Sequence, residues 1–392
     1  MGFGLPRLAE VFGVAFRLGL TSFGGPVAHI AYFRKEYVER RGWLDDASFS
    51  ELVALAQILP GPSSSQLGMA VGHLRAGVGG AVAAWLGFTL PSALLMVLLA
   101  GLWGQWSAST MIWATHGLLL VAAAVVTQAV GQLYRSQCAT PLLRTVAWVA
   151  FAAFLVVSGP FALPAVLLAG AATGAFAPSQ PSGKDPTLPG MPFRRRGGVV
   201  ALVVFAALAL LLPWLRTTQE APWAWADAFY RTGSWVFGGG HVVLPWLQRE
   251  VVGPGWVTSQ TFLAGYGAAQ ALPGPLFAVS AFLGMVLGGW PGATIALVAI
   301  FLPGFLLIEG FLPFWSRFRG RPRWTGAFAG ASAVVVGLLA FTLATSIGTA
   351  LVRPGDWVVA AGLLLLLEKA KWPSWAVVLV GALVGDLVLL LG

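Results

Sequence analysis

The sequence predicts an all-α polytopic membrane protein, built from two homologous halves arranged as an inverted repeat with broken or re-entrant helices. Three observations carry this expectation. The 392-residue chain is 58% hydrophobic and only 9% charged, with a mean hydropathy of +0.82, whereas a soluble domain carries about 25% charged residues. Long apolar stretches follow one another along almost the whole chain. Helix breakers recur at matching places: Phe23-Gly24-Gly25-Pro26 and Leu59-Pro60-Gly61-Pro62 in the first half, Phe237-Gly238-Gly239-Gly240 and Leu272-Pro273-Gly274-Pro275 in the second.

The net charge of +9 would suggest nucleic acid as a partner in a soluble chain. Here it is read as basic loops holding the cytoplasmic side of a bilayer, and no zinc spacing or aromatic-basic strand pattern argues otherwise. Eighteen Trp and 25 Phe suit the two membrane interfaces. A single cysteine, Cys138, excludes a disulfide framework or a thiolate metal cluster within one chain. The first residues lack a cleavage-site pattern, so the first apolar stretch is expected to belong to the mature fold.

The apolar stretches run at 11–31, 49–72, 77–100, 113–133, 143–158, 160–178, 199–215, 224–247, 260–288, 290–313, 326–351, 357–370 and 373–391. A polar interval rich in Pro, Ser and Gly, closing on Arg194-Arg195-Arg196, reads as a linker. It divides the chain into a repeat at 1–178, a cytoplasmic linker at 179–198 and a second repeat at 199–392. A shift of 214 positions superimposes Arg17 on Arg231, Gly24 on Gly238, Gly25 on Gly239 and Glu36 on Glu250. A shift of 213 then matches Trp43 with Trp256, Gln57 with Gln270 and Pro60-Gly61-Pro62 with Pro273-Gly274-Pro275; 212 matches Pro91 with Pro303.

The basic clusters at 34–41, 194–196 and 317–323 are expected on the cytoplasmic side. If every apolar run were a simple span, 34–41 would fall outside. If 11–31 and 49–72 are pairs of half-helices that enter and return, the conflict disappears, and the same treatment of the second half gives it the opposite orientation. Twelve or 13 ordinary kinked spans are the alternative.

The breaks are also where chemistry is expected. A Pro-Gly-Pro ends one helix and starts the next, with Pro62 suited to the first helical position. The N–H groups that follow lack intrahelical partners and sit at the positive end of the helix dipole, an arrangement that binds anions. Ser63, Ser64 and Ser65 add hydroxyls there, while the second copy continues Leu276-Phe277 and reaches a serine only at Ser280. Gly24-Gly25 and Gly238-Gly239 allow close backbone approach, serving either a site or tight helix packing. Arg17 and Arg231 lie in apolar runs six residues before each Phe-Gly-Gly. An arginine there should face a cavity, an anion or a carboxylate, and its planar fork suits oxyanions. Gln57 and Gln270 can donate to an anion or hold the broken backbone. Glu36 and Glu250, beside Lys35 and Arg249, read as surface ion pairs. Glu309 and Asp386 are isolated carboxylates able to relay protons. His29 and His241 follow the glycine motifs without aligning. No P-loop, His-Glu-x-x-His or nucleophile elbow is present.

Phe23-Gly24-Gly25-Pro26 with Gln57 to Pro62, and Phe237 to His241 with Gln270 to Pro275, resemble the chromate ion transporter family in its long, two-domain form, over nearly the whole chain. The resemblance implies a transporter, not an enzyme, without cofactors, in the bacterial inner membrane. It implies chromate efflux by alternating access and chromate resistance, with chromate or a sulfate-like oxyanion, the lipid bilayer and a second copy of the chain as partners. The expected oxyanion ligands are Arg17, Gly24, Gly25, Gln57, Pro60, Gly61, Pro62, Ser63 and Ser64, with Arg231, Gly238, Gly239, Gln270, Pro273, Gly274 and Pro275. The chain departs from a symmetrical pattern at Gly240, opposite Pro26, and in the serines missing after Pro275. A lipid-phosphate flippase or enzyme is the competing reading; the lack of Asp or Glu inside any break counts against hydrolysis.

Overall fold

The protein is described from a computed structural model covering residues 4–103, 108–157, 162–176, 195–237, 242–315, 321–348 and 351–391. These residues form helices and loops, with no strand among them. Five helical stretches are long and apolar enough to cross a membrane: Ser63–Trp103, His116–Gln137, Arg195–Arg216, Leu276–Phe314 and Pro322–Thr345. The first three-state feature of the fold, an all-α membrane protein, is therefore as the composition predicts.

The chain forms two compact units, and these cut across the sequence halves: residues 1–106 with 185–317, and 107–184 with 318–392. Each unit takes one piece from either side of the linker.

In the first unit, α1 (Leu5–Thr21) leads through the Gly24 break to α2 (Gly25–Arg34), which continues as a π-helical turn, Lys35–Arg40. α3 (Asp46–Ile58) runs to the Pro-Gly-Pro break, and α4 (Ser63–Trp103) starts beyond it. α3 begins where Asp45 accepts a hydrogen bond from the Ser48 N–H at 2.6 Å, a side-chain cap. A straight helix of 41 residues would be about 60 Å long, twice a bilayer core. Instead α4 turns sharply at Ala76 and Gly77, where the backbone is non-helical. The turn sets Gly72 against the Gly80 carbonyl.

The second half supplies α8 (Arg195–Arg216), α9 (Ala221–Trp235), α10 (Val243–Leu247) with its π-helical turn Gln248–Val252, α11 (Ser259–Ala269) and α12 (Val279–Phe311). α12 turns at Gly288 and Gly289, the positions matched to Ala76 and Gly77, and sets Gly284 against the Gly292 carbonyl. The boundary between 49–72 and 77–100 read from the sequence is this turn. α8 leaves Val203, Leu210 and Trp214 exposed, an apolar face suited to lipid.

The second unit packs α5 (Ala108–Gln137), α6 (Pro141–Val156) and α7 (Ala162–Ala175) with α13 (Pro322–Thr342), α14 (Pro354–Glu368) and α15 (Ser374–Leu391). Close crossings on small residues repeat here: Gly117 lies against Gly381 and Ala382, and Gly330 against Gly170. His116 Nε2 lies 2.9 Å from Asp356 Oδ1, tying α5 to the first turn of α14. Cys138 is buried among Leu143, Ala147, Ala333 and Val336.

At Gly72 and Gly284 the turns in α4 and α12 leave no room for a Cβ, which would come within 2.3 Å of the facing glycine carbonyl. Gly72→Ala and Gly284→Ala are each expected to destabilise the purified protein by about 1–3 kcal/mol, the cost of overpacking. Gly13→Ala, where a Cβ would meet nothing within 4 Å, should leave the thermal unfolding midpoint in detergent unchanged.

Candidate functional site

Inside the first unit the two Pro-Gly-Pro breaks make crossed hydrogen bonds, each to the opposite half. The Gly61 N–H donates to the Val236 carbonyl at 2.7 Å, and the Gly274 N–H donates to the Ser22 carbonyl at 2.9 Å. Each break thus bonds to the residue just before the Phe-Gly-Gly of the other half. Only glycine fits: φ is +124° at Gly61 and +100° at Gly274. A Cβ on Gly61 would come within 3.0 Å of Gly304 Cα, and one on Gly274 within 2.9 Å of Ser92 Oγ. Ser92 and Gly304 are themselves matched positions, each following the proline of Leu90-Pro91 or Leu302-Pro303. The contacts between the halves are reciprocal, residue for residue.

The first break opens on the N-terminus of α4. Ser63, Ser64 and Ser65 are all buried. His29, also buried, sits against this end with Nδ1 3.2 Å from Ser64 Oγ. Phe88 meets the His29 ring edge-on, with centroids 5.3 Å apart. His29 Nε2, Ser22 Oγ, Ser65 Oγ and Thr89 Oγ1 are buried without a hydrogen-bond partner. At the second break the equivalent chain is a short 3₁₀ turn, Leu276–Ala278, and the Ser280 hydroxyl donates to the Phe277 carbonyl at 2.8 Å. The expected asymmetry in hydroxyls is therefore present in the fold.

Arg17 and Arg231 each meet a carboxylate. Arg17 pairs with Glu36, and Arg231 pairs with Asp227 and, at 3.9 Å, with Glu250. Glu36 and Glu250 are buried, which departs from the surface pairs with Lys35 and Arg249 read from the sequence. The π-helical turns explain this, because they rotate both carboxylates inward from the ends of their hairpins. Arg41 Nε also donates to Glu36 Oε1 at 2.7 Å, and Arg40 Nη1 lies 3.5 Å from Glu36 Oε2. In the second copy Arg216 Nη1 reaches Asp227 and Glu250, each at 3.1 Å. The matched tryptophans close both clusters: Arg41 and Arg75 lie over Trp43 at 5.4 and 5.2 Å, and Arg216 over Trp256 at 5.5 Å. Burial works against the Glu36 charge, but the Arg41 hydrogen bond and the charges of Arg17, Arg41 and Arg40 outweigh it and hold its carboxyl below the ordinary value.

Other expected residues fall as follows. Gly24, with φ of +97°, caps α2, and Gly25 begins it. Pro60 is half-buried and Pro62 buried beside Gly61; Pro273 and Pro275 are buried around Gly274. Gln57 is exposed. The amide that holds the broken backbone is Gln66, whose Nε2 donates to the Pro60 carbonyl at 2.9 Å and the Gly304 carbonyl at 3.2 Å. Gln66 lies one helical turn past Pro62, on the same face, and that spacing was the signal for it. Gln270 is half-buried, and its Nε2 has no partner. Gly238, Gly239, Gly240 and His241, and the side chain of Asp386, lie outside the described residues. Glu309 is partnered: His73 Nδ1 lies 2.7 Å from Glu309 Oε2, joining α4 to α12.

The sequence pattern of the family described as "Chromate transporter" matches residues 9–175 and again 223–386. The chain is 30% identical to the chromate transport protein of Pseudomonas aeruginosa, over 97% of this chain and 92% of that protein. It is 28% identical to the probable chromate transport protein of Synechococcus elongatus, over 92% and 94%. An uncharacterized transporter of Bacillus subtilis is 31% identical over 168 residues, which are 41% of this chain and 94% of that protein. No solved structure is significantly similar.

The Glu36 cluster gives a pH-dependent expectation. Its carboxylate is buried while its arginine partners are partly exposed, so Glu36→Gln should cost about 1–3 kcal/mol at neutral pH, between exposed and buried pairs. A depressed folded pKa stabilises fully above the ordinary 4.5 and less as pH falls through the folded value. Unfolding in detergent, followed from pH 7 downward, should show wild type and variant converging under acid.

Proposed function

The chain belongs to the chromate transporter family, and from that premise we propose that it exports chromate from the bacterial cytoplasm by alternating access, conferring chromate resistance. It is a multi-pass protein of the inner membrane in this reading, with repeats at 1–178 and 199–392 joined by a cytoplasmic linker at 179–198. The half-length relative in Bacillus subtilis supports that division.

The observation that carries the reading is the reciprocal bonding of the two breaks. It ties Gly61 and Gly274, with the buried Pro62, Ser63, Ser64, Pro273 and Pro275 beside them, to the opposite half. Helix starts at these breaks would replace the hydration of a tetrahedral dianion. The helices that reach the breaks are short. Residues 63–76 span about 21 Å and α3 about 20 Å, too little for a 30 Å core. They are long enough to enter and return, as re-entrant segments do where protein surrounds them. Reciprocal contacts between the halves are what a two-fold axis produces, and an axis in the membrane plane makes the repeat inverted. Arg17 and Arg231, anchored on Glu36 and Glu250, keep partly exposed guanidiniums within each hairpin and draw the ion in; Gln270 lies on the second side, with Gln57 at the entrance.

Export needs no other energy source. Moving a dianion out of a negative-inside cell gains about 4.6 kcal/mol per 100 mV, twice the single-charge figure. Sulfate has the same shape and charge and is the competing substrate.

Everted membrane vesicles are expected to accumulate chromate, faster with an inside-positive potential, and Arg17→Ala or Arg231→Ala should abolish this while the protein still inserts. Joining Arg17→Ala to Glu36→Gln tests whether the arginine merely neutralises the carboxylate; no rescue is expected. Uptake unchanged in both single variants would remove the arginines from the site, and uptake only into right-side-out vesicles would reverse the direction.

A further inference from the structure

Among the buried polar atoms without partners, His29 Nε2, Ser22 Oγ and Ser65 Oγ belong to the α1–α2 break and the start of α4. His29 is held between α1 and α4, where its ring meets Ser64 Oγ through Nδ1 and Phe88 edge-on. With the Ser64 hydroxyl donating to Nδ1, the ring proton resides on Nε2, which is buried and unpartnered. Ser22 is wholly buried, its carbonyl occupied by Gly274 and its hydroxyl unpartnered. The helix beginning at Ser63 leaves its first N–H groups without intrahelical acceptors, at the positive end of its dipole. Groups left unmatched in an interior lose the hydrogen bonds that water would give them, and the neighbouring aromatics, Phe33 and Phe88, offer no acceptor for the ring nitrogen.

The geometry points to a dedicated oxyanion locus in the first half, with His29 Nε2, the Ser22 hydroxyl and the N-terminus of α4 as ligands for one tetrahedral dianion, and with the Ser64 hydroxyl, committed to Nδ1, holding the ring in that tautomer. It rests on the oxyanion reading above and sharpens it, because the locus has no copy. The position matched to His29 is Val243, and the positions matched to Ser63 to Ser65 are Leu276, Phe277 and Ala278. The second Pro-Gly-Pro serves as backbone support: Gly274 fixes the Ser22 carbonyl and so orients the residue that carries one of the hydroxyls. His29 is assigned as a binding residue because its Nε2 is buried without a partner; Gln66, which ties Pro60 to Gly304, is a positioning residue.

The test is sulfate and chromate binding by calorimetry on the full chain in detergent, with chromate uptake kinetics in everted vesicles. His29→Ala should weaken binding about tenfold to hundredfold, the loss of a hydrogen bond to a charged group, and raise KM with a smaller effect on the maximal rate. His29→Gln, which returns a donor near the Nε2 position, should recover affinity to within about threefold of wild type. Ser64→Ala should weaken binding in the same direction, and Ser280→Ala, at the second break, should not. Size-exclusion profiles identify any variant that fails to fold, and the remaining two substitutions at the locus then decide. Wild-type binding with an affinity unchanged in His29→Ala, or unchanged in Ser64→Ala where His29→Ala fails to fold, overturns the locus and leaves the transporter reading standing. A wild-type protein that binds neither oxyanion removes both.

Discussion

The interior of the first unit depends on two backbone hydrogen bonds, Gly61 N–H to Val236 and Gly274 N–H to Ser22. A broken helix in a membrane protein has surplus N–H and carbonyl groups, and hydrocarbon offers them no water. Here each break disposes of its surplus in the break of the other half. Neither half can satisfy its own Pro-Gly-Pro, so the duplicated sequence becomes a single interior rather than two neighbouring ones. The close approach of Gly61 to Gly304, and of Gly274 to Ser92, follows from the same constraint. The bonds form only if the long arms of α4 and α12 lie against the opposite break, and glycine removes the Cβ that would prevent it.

A shared scaffold does not mean shared chemistry. The two breaks have the same backbone plan, yet one is lined by Ser63, Ser64, Ser65 and His29, and the other by Leu276 and Phe277. Duplication supplied the geometry twice, and side chains then distinguish a polar break from an apolar one. Gln66 belongs to the polar copy as well, bridging Pro60 and Gly304 with one amide.

Much of this was legible in the sequence. Gly24, Gly61 and Gly274 mark breaks because proline and positive φ leave few alternatives, and the ends of the apolar runs fall at the turns at Ala76 and Gly288. The alignment of the halves gave equivalence but not contact. It matched Arg17 with Arg231 and Glu36 with Glu250, while the fold pairs Arg17 with Glu36 across 19 residues, through a hairpin whose π-helical turn no periodicity announces. It likewise suggested Gln57, by its place before the proline; the face that Gln66 occupies becomes evident only once the start of α4 is fixed. His73 with Glu309 joins residues 236 positions apart, and one-dimensional pattern has no means of expressing such a pair.

The charge clusters at the hairpin ends differ between copies in the same sense as the breaks. Around Trp43, the described ion pairs join Arg17, Arg40, Arg41 and Arg75 to Glu36 and Glu10, four positive groups against two negative. Around Trp256 they join Arg216 and Arg231 to Asp227 and Glu250, two against two. An excess of positive charge at one mouth concentrates anions there, within the roughly 8 Å over which physiological salt leaves a field unscreened. In the proposed topology that mouth is cytoplasmic. Export as proposed would bring a dianion in beside this cluster, on the copy that also holds His29 and the serines, whereas attraction at the outer mouth alone would favour entry from outside.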